Sequence, residues 1–126
     1  MDRFLWVCLG GAVGSGGRYL LALGAARWLG AQWPYGTWFA NLGGSFLLGF
    51  LLQAMIESAG GSPALRLALT TGAMGGFTTY STFNYEVISM LETGRWGAGL
   101  GYLVATVLGC LATGFLGMSL GRVFAS

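Results

Sequence analysis

Histidine and lysine are missing from this 126-residue chain, and charge of any kind is scarce: six basic residues, all arginine, and four acidic ones. Soluble domains carry roughly 25% charged residues; here the figure is 8%. So few charges cannot cover a surface that faces water, which excludes an ordinary soluble domain. The missing histidine, with Cys8 and Cys110 each alone in apolar sequence, argues against a metal-ligand cluster, a nucleophilic triad and a disulfide framework. A net charge of +2, scattered along the chain, gives no basic patch for nucleic acid. No enzymatic chemistry is expected.

What the chain has instead is apolar bulk and glycine. Hydrophobic residues make up 55%, mean hydropathy is +0.69, and 24 residues are glycine. The expectation is a single all-α transmembrane domain over residues 1–126, since about 20 mostly apolar residues suffice to cross a bilayer. Four spans are predicted, near 4–29, 37–56, 64–91 and 97–121. Turns fall at Ala31–Gly36 and Glu92–Arg95, and a loop at Ser58–Pro63. Four crossings put both termini on one side. Arg3, Arg66 and Arg122 then face Arg27 and Arg95 across the membrane, almost no bias of the kind that orients a chain. Either one orientation wins narrowly, or both occur and the two forms pair antiparallel.

In lipid, helices associate through small residues and buried hydrogen bonds. The last span has Gly97, Gly101, Ala105, Gly109, Thr113, Gly117 and Gly121 at every fourth position, which predicts a continuous packing groove. Gly10 and Gly14 repeat the device in the first span, and the next position of that row is Arg18. Four short helices enclose little interior, so a dimer is expected.

Polar residues at membrane depth are costly and mark candidate sites. Thr37, Asn41 and Ser45 form an i, i+4, i+8 stripe on the second span. Asn41 either joins neighbouring helices or meets a permeant species. Arg18 is either a buried structural cation or an attractor of anions, and Glu86 either neutralises it or lines an aqueous exit. The third span holds Gly72, Gly75 and Gly76, followed by Phe77-Thr78-Thr79-Tyr80-Ser81-Thr82-Phe83-Asn84. Such a run predicts a break near 75–79, tolerated at that depth only inside protein or beside a polar cavity. Broken helices offer freed carbonyls to a hard cation and freed N–H groups to an anion. Tyr80 and Phe83, three apart, share a face, and their electropositive ring edges suit an anion. Thr79, Ser81 and Thr82 add hydroxyl donors. Residue chemistry alone reaches a polar ion pathway, best suited to an anion.

The strings GGFTTYSTFNYE (Gly75–Glu86), GGAVGSGGRY (Gly10–Tyr19) and GTWFANLGGSFLLG (Gly36–Gly49) resemble the Fluc/CrcB family of bacterial fluoride channels, along the whole chain and in the same order. The resemblance implies an antiparallel, dual-topology homodimer in the bacterial cytoplasmic membrane. Each such dimer has two fluoride pores and a central structural Na+. It puts the Na+ on the backbone carbonyls of Gly75 and Thr78, and the pore aromatics on Tyr80 and Phe83. It puts the pore asparagine on Asn41 and the polar track on Ser81 and Thr82. Arg18 matches the family's first-span arginine, and Glu86 the acid that closes the motif. Thr113, with Cys110 beside it, falls on a fourth-helix track. Tyr80 stands where the family usually has Phe.

The implied activity is passive export of fluoride that entered as HF and ionised in the cytoplasm. Two other classes compete. A small proton-coupled multidrug exporter has similar size, but those proteins resemble one another in a first-span glutamate, where this chain has Arg18. A purely structural subunit leaves the Asn41 stripe and the Gly75–Thr82 run without a role.

Overall fold

Local sequence sets where each helix ends. The computed structural model describes residues 2–57 and 61–125, so residues 58–60 of the expected Ser58–Pro63 loop lie outside the described residues. Helix α1 spans Asp2–Leu29 and α2 spans Tyr35–Glu57. Between them the chain turns at Gly30, whose φ of +89° suits glycine at a helix C-terminus. Pro63 opens α3, Pro63–Leu67, where its missing N–H costs nothing. The helix continues as a π-helical stretch, Ala68–Met74, and as α4, Gly75–Phe77. After the break come α5, Tyr80–Glu92, and α6, Trp96–Ala125, joined by a turn at Gly94 with φ +82°. Among the described residues no strand occurs.

By length and composition, Tyr35–Ile56 and Trp96–Ala125 are apolar enough to cross a membrane. Outward-facing Leu, Val and Phe cover much of the molecule, with Val13, Leu111, Phe115 and Val123 each more than 60% exposed. Little is left for a core. Among the described residues the buried apolar cluster is Phe83, Val87, Met90 and Tyr102, packed by Trp33, Trp38, Leu91 and Ala98.

Helix α1 packs against residues 63–77 by removing side chains altogether. A methyl group at Gly10 would collide with the Ala68 carbonyl, and one at Gly14 with the Ala73 carbonyl. In return, Gly72 lies against the Val7 carbonyl and Gly76 against the Gly11 carbonyl. The π-helical winding has more than four residues per turn. Ala68, Gly72 and Gly76, four apart, lie on the face toward α1.

On α6 the expected continuous groove is corrected. Gly109 meets Leu42, Gly117 the Phe46 carbonyl and Gly121 the Phe50 carbonyl, but Gly97 and Gly101 face open space. At 3.6 residues per turn, a row at every fourth position drifts by about 40° per step, so its two ends look in different directions. Near its start α6 instead buries Gly99, Tyr102 and Thr106.

Candidate functional site

The helix break is made by two threonines with opposite jobs. Thr78 (φ −86°, ψ 154°) and Thr79 (φ −151°, ψ 116°) are extended. Thr78 closes the helix behind it, its hydroxyl donating to the Met74 carbonyl at 2.9 Å. Thr79 opens the helix ahead, its hydroxyl accepting from the Thr82 N–H at 3.3 Å, a standard N-cap bond. The Thr79 hydroxyl also donates to Thr82 Oγ1 at 3.1 Å and lies 3.5 Å from Ser81 Oγ. The two residues expected on the polar track are thus gathered around the cap.

Asn41 holds the break open. Its Oδ1 accepts from the Thr79 N–H at 2.8 Å, and its Nδ2 donates to the Thr79 carbonyl at 3.1 Å. An unbroken α-helix would direct that N–H to the Gly75 carbonyl; Asn41 takes it instead. The Gly76 carbonyl, next in line, accepts from Arg18 Nε at 3.2 Å. Arg18 is half-buried in the α1 seam and serves as a cation for a freed carbonyl. Gly75 is exposed, with nothing within 4 Å of where a side chain would start.

Beside the break lies a cleft of about 260 Å³ whose wall includes Asn41, Ser45, Thr79, Tyr80, Phe83 and Thr106. Thr78, Val107 and Cys110 complete it. The Asn41 stripe of α2 therefore faces the broken segment, as its i, i+4 spacing allows. Tyr80 and Phe83 meet edge to face, with centroids 5.9 Å apart and planes at 74°. They differ in setting: Phe83 is 4% exposed and Tyr80 78%. Phe83 in turn meets Tyr102 edge to face at 5.1 Å and 77°.

Beyond that aromatic wall sits Glu86. Its carboxylate accepts from Thr37 Oγ1 at 3.2 Å and from the Tyr102 hydroxyl at 3.0 Å. Of the two expectations for Glu86, the Arg18 pairing is not made, since Arg18 bonds the Gly76 carbonyl, while the carboxylate does border two hollows. Two hydroxyls from α2 and α6 hold the carboxylate between them.

Thr113 stands apart from these groups. Its hydroxyl donates to the Leu42 carbonyl at 3.0 Å and to the Cys110 carbonyl at 3.3 Å, tying α6 to α2. The α6 hydroxyl that reaches the cleft is Thr106, seven residues earlier. Thr106 is 5% exposed, and its Oγ1 has no partner among the described residues. Sequence reading passed over both Thr106 and Tyr102. The available signal was spacing: Gly99, Tyr102, Thr106 and Cys110 follow a 3-4-4 pattern that marks one helix face.

The arrangement gathers polar groups with donor capacity left over: the unpaired Thr106 hydroxyl and the Asn41 side-chain amide with a hydrogen to spare, beside two aromatic rings. Such a cleft suits a small anion better than a cation.

Comparison with known proteins gives a consistent set of matches. The family described as CrcB-like protein, Camphor Resistance (CrcB), matches residues 5–118. A fluoride-specific ion channel FluC of Anaeromyxobacter dehalogenans is 52% identical over 97% of this chain and 97% of its own length. A protein of the same name from Sorangium cellulosum is 47% identical over 97% of this chain and 96% of its own. Another, from Phenylobacterium zucineum, is 44% identical over 99% of this chain and all of its own length.

Proposed function

The chain belongs to the CrcB-like family, and from that premise we propose that it is a fluoride channel, passively exporting F- across the bacterial cytoplasmic membrane. The observation that carries the reading is the cleft at the Thr78–Thr79 break, which Asn41, Thr106, Tyr80 and Phe83 line together. A small anion loses water on entering, and each donor there replaces part of its hydration. In this reading the hydroxyls of Ser81 and Thr82, gathered around the Thr79 cap, would serve as the polar track, with Thr37, Tyr102 and Glu86 the next donors and charge past Phe83. Donors spaced along a path let an ion move in short steps, since no single site holds it too tightly to leave. Nothing in the route needs an energy source.

The working unit in this proposal is an antiparallel dual-topology homodimer of four-span subunits, with two pathways. The exposed apolar faces and the open side of Gly75 support a second copy. A structural Na+ would take the carbonyls of Gly75 and Thr78, and would fix the two broken helices against each other. These groups fit it in kind: backbone oxygens freed at a helix break suit a hard monovalent cation. One chain offers only two, so the rest come from the second copy.

Purified protein in liposomes tests the whole reading. The expected result is rapid release of F- with Cl- retained, and no requirement for a proton gradient. Release of a cationic dye driven by a proton gradient would instead identify an exporter.

A further inference from the structure

The hydroxyl route described above leads an anion toward a carboxylate, which repels it. Glu86 borders two adjoining hollows past Tyr102, each of about 190 Å³. One is walled by Thr37, Trp33 and Gly36. The other opens past Ser89 and Tyr85 to Arg95. Arg95 also lines a wider hollow of about 560 Å³ with Gln32 and Tyr35. It lies on the turn between α5 and α6, exposed, with Nη2 donating to the Gln32 carbonyl at 2.7 Å. A guanidinium has five N–H donors. Among the described residues that carbonyl is its one side-chain partner, and no carboxylate pairs with it. The other acid at this end, Glu92, is exposed on the last turn of α5.

We propose that Arg95 is the anion-collecting charge at the Glu86 mouth of the pathway: it offsets the carboxylate and raises the local fluoride concentration there. The inference rests on the channel reading. Its physical basis is that a cation at the rim of a low-dielectric opening draws counter-ions in, an effect that salt screens. A structural role for the Gln32 bond would not respond to salt.

The test compares wild type, R95K, R95Q and R95E in neutral phosphatidylcholine liposomes, with fluoride release measured at low and high ionic strength set by an impermeant salt. At ~0.01 M, where the screening length is about 30 Å, R95E should release fluoride about tenfold more slowly and R95Q about threefold. At 1 M, where it is about 3 Å, all four should agree within about twofold. R95K should follow wild type throughout, because it keeps the charge. Equal losses at both salt levels, or unchanged release in R95E, overturn the assignment. A wild type that releases no fluoride overturns the channel reading itself, a result distinct from either.

Discussion

Two seams divide this small molecule, and they are built on opposite principles. Helix α1 meets residues 63–77 through bare backbone: Gly10, Gly14, Gly72 and Gly76 each lie against a carbonyl of the facing segment. Helix α2 meets α5 and the first half of α6 through polar side chains: Asn41 on Thr79, Thr37 and Tyr102 on Glu86. At those four glycines the first seam leaves no room for a methyl group. The second keeps a cleft of about 260 Å³ and an unpaired hydroxyl. Rigidity on one side allows openness on the other. The broken segment is pinned from behind by α1, so its front can carry freed backbone groups beside a cavity.

The largest effect should come from filling the glycine seam. Gly14→Leu puts a side chain into the Ala73 backbone, and α1 can accommodate it only by moving away. Overpacking of this kind typically costs about 1–3 kcal/mol and occasionally more; against backbone we expect the upper end. Recovery of monodisperse protein from a sizing column in detergent should collapse. Gly16→Leu, where nothing lies within 4 Å, should be recovered like wild type. Equal recovery of both variants would remove the distinction between the seams.

Next in size is the hinge of the polar seam. Asn41→Ala strips the partner from both the N–H and the carbonyl of Thr79, and a polar group left unsatisfied away from water costs about 1–3 kcal/mol. Fluoride release from liposomes should fall at least tenfold, about 1.4 kcal/mol on the barrier, while protein is still recovered. Full flux in this variant would show that the break stands without its clamp.

Thr106→Val separates function from stability. The hydroxyl it removes has no partner, so its loss relieves a desolvation cost of about 1–3 kcal/mol. The variant should unfold at a higher temperature than wild type, and yet conduct roughly threefold more slowly, a barrier change well under 1.4 kcal/mol. Thr113→Val should do the reverse, because its hydroxyl ties α6 to Leu42: lower stability, little change in flux.

That pair of threonines also shows where the sequence was readable and where it was not. The Thr37–Asn41–Ser45 stripe could be placed because it covers only about two turns, too few for phase drift to turn it away. The break could be placed because adjacent glycines and β-branched threonines are poor helix interior. On α6 the row at every fourth position looked like one face and is not, so Thr113 stood out where Thr106 reaches the cleft. Tyr102 looked like any aromatic in an apolar helix; only its approach to Glu86 across the turn gives it a role. Arg18 was equally open: its charge was plain, but its partner, the Gly76 carbonyl, exists only once α1 has docked.

The smallest effect concerns the ring at the lip of the cleft. Tyr80 is 78% exposed and its hydroxyl makes no bond within the described residues. Its ring meets Phe83 edge to face at 5.9 Å, and that contact does not depend on the phenol oxygen. If the ring edge is what Tyr80 contributes, Tyr80→Phe leaves stability unchanged and fluoride release within about twofold of wild type, well below 1.4 kcal/mol on the barrier. A several-fold rise in release would mean that the phenol impedes the ion; a several-fold fall would mean that it donates to it. Phe83→Leu is the matching control, since Phe83 is 4% exposed and packs on Tyr102. Losing that buried ring should lower both stability and flux, so the exposed and buried members of one aromatic pair would respond as the open and closed sides of the molecule do.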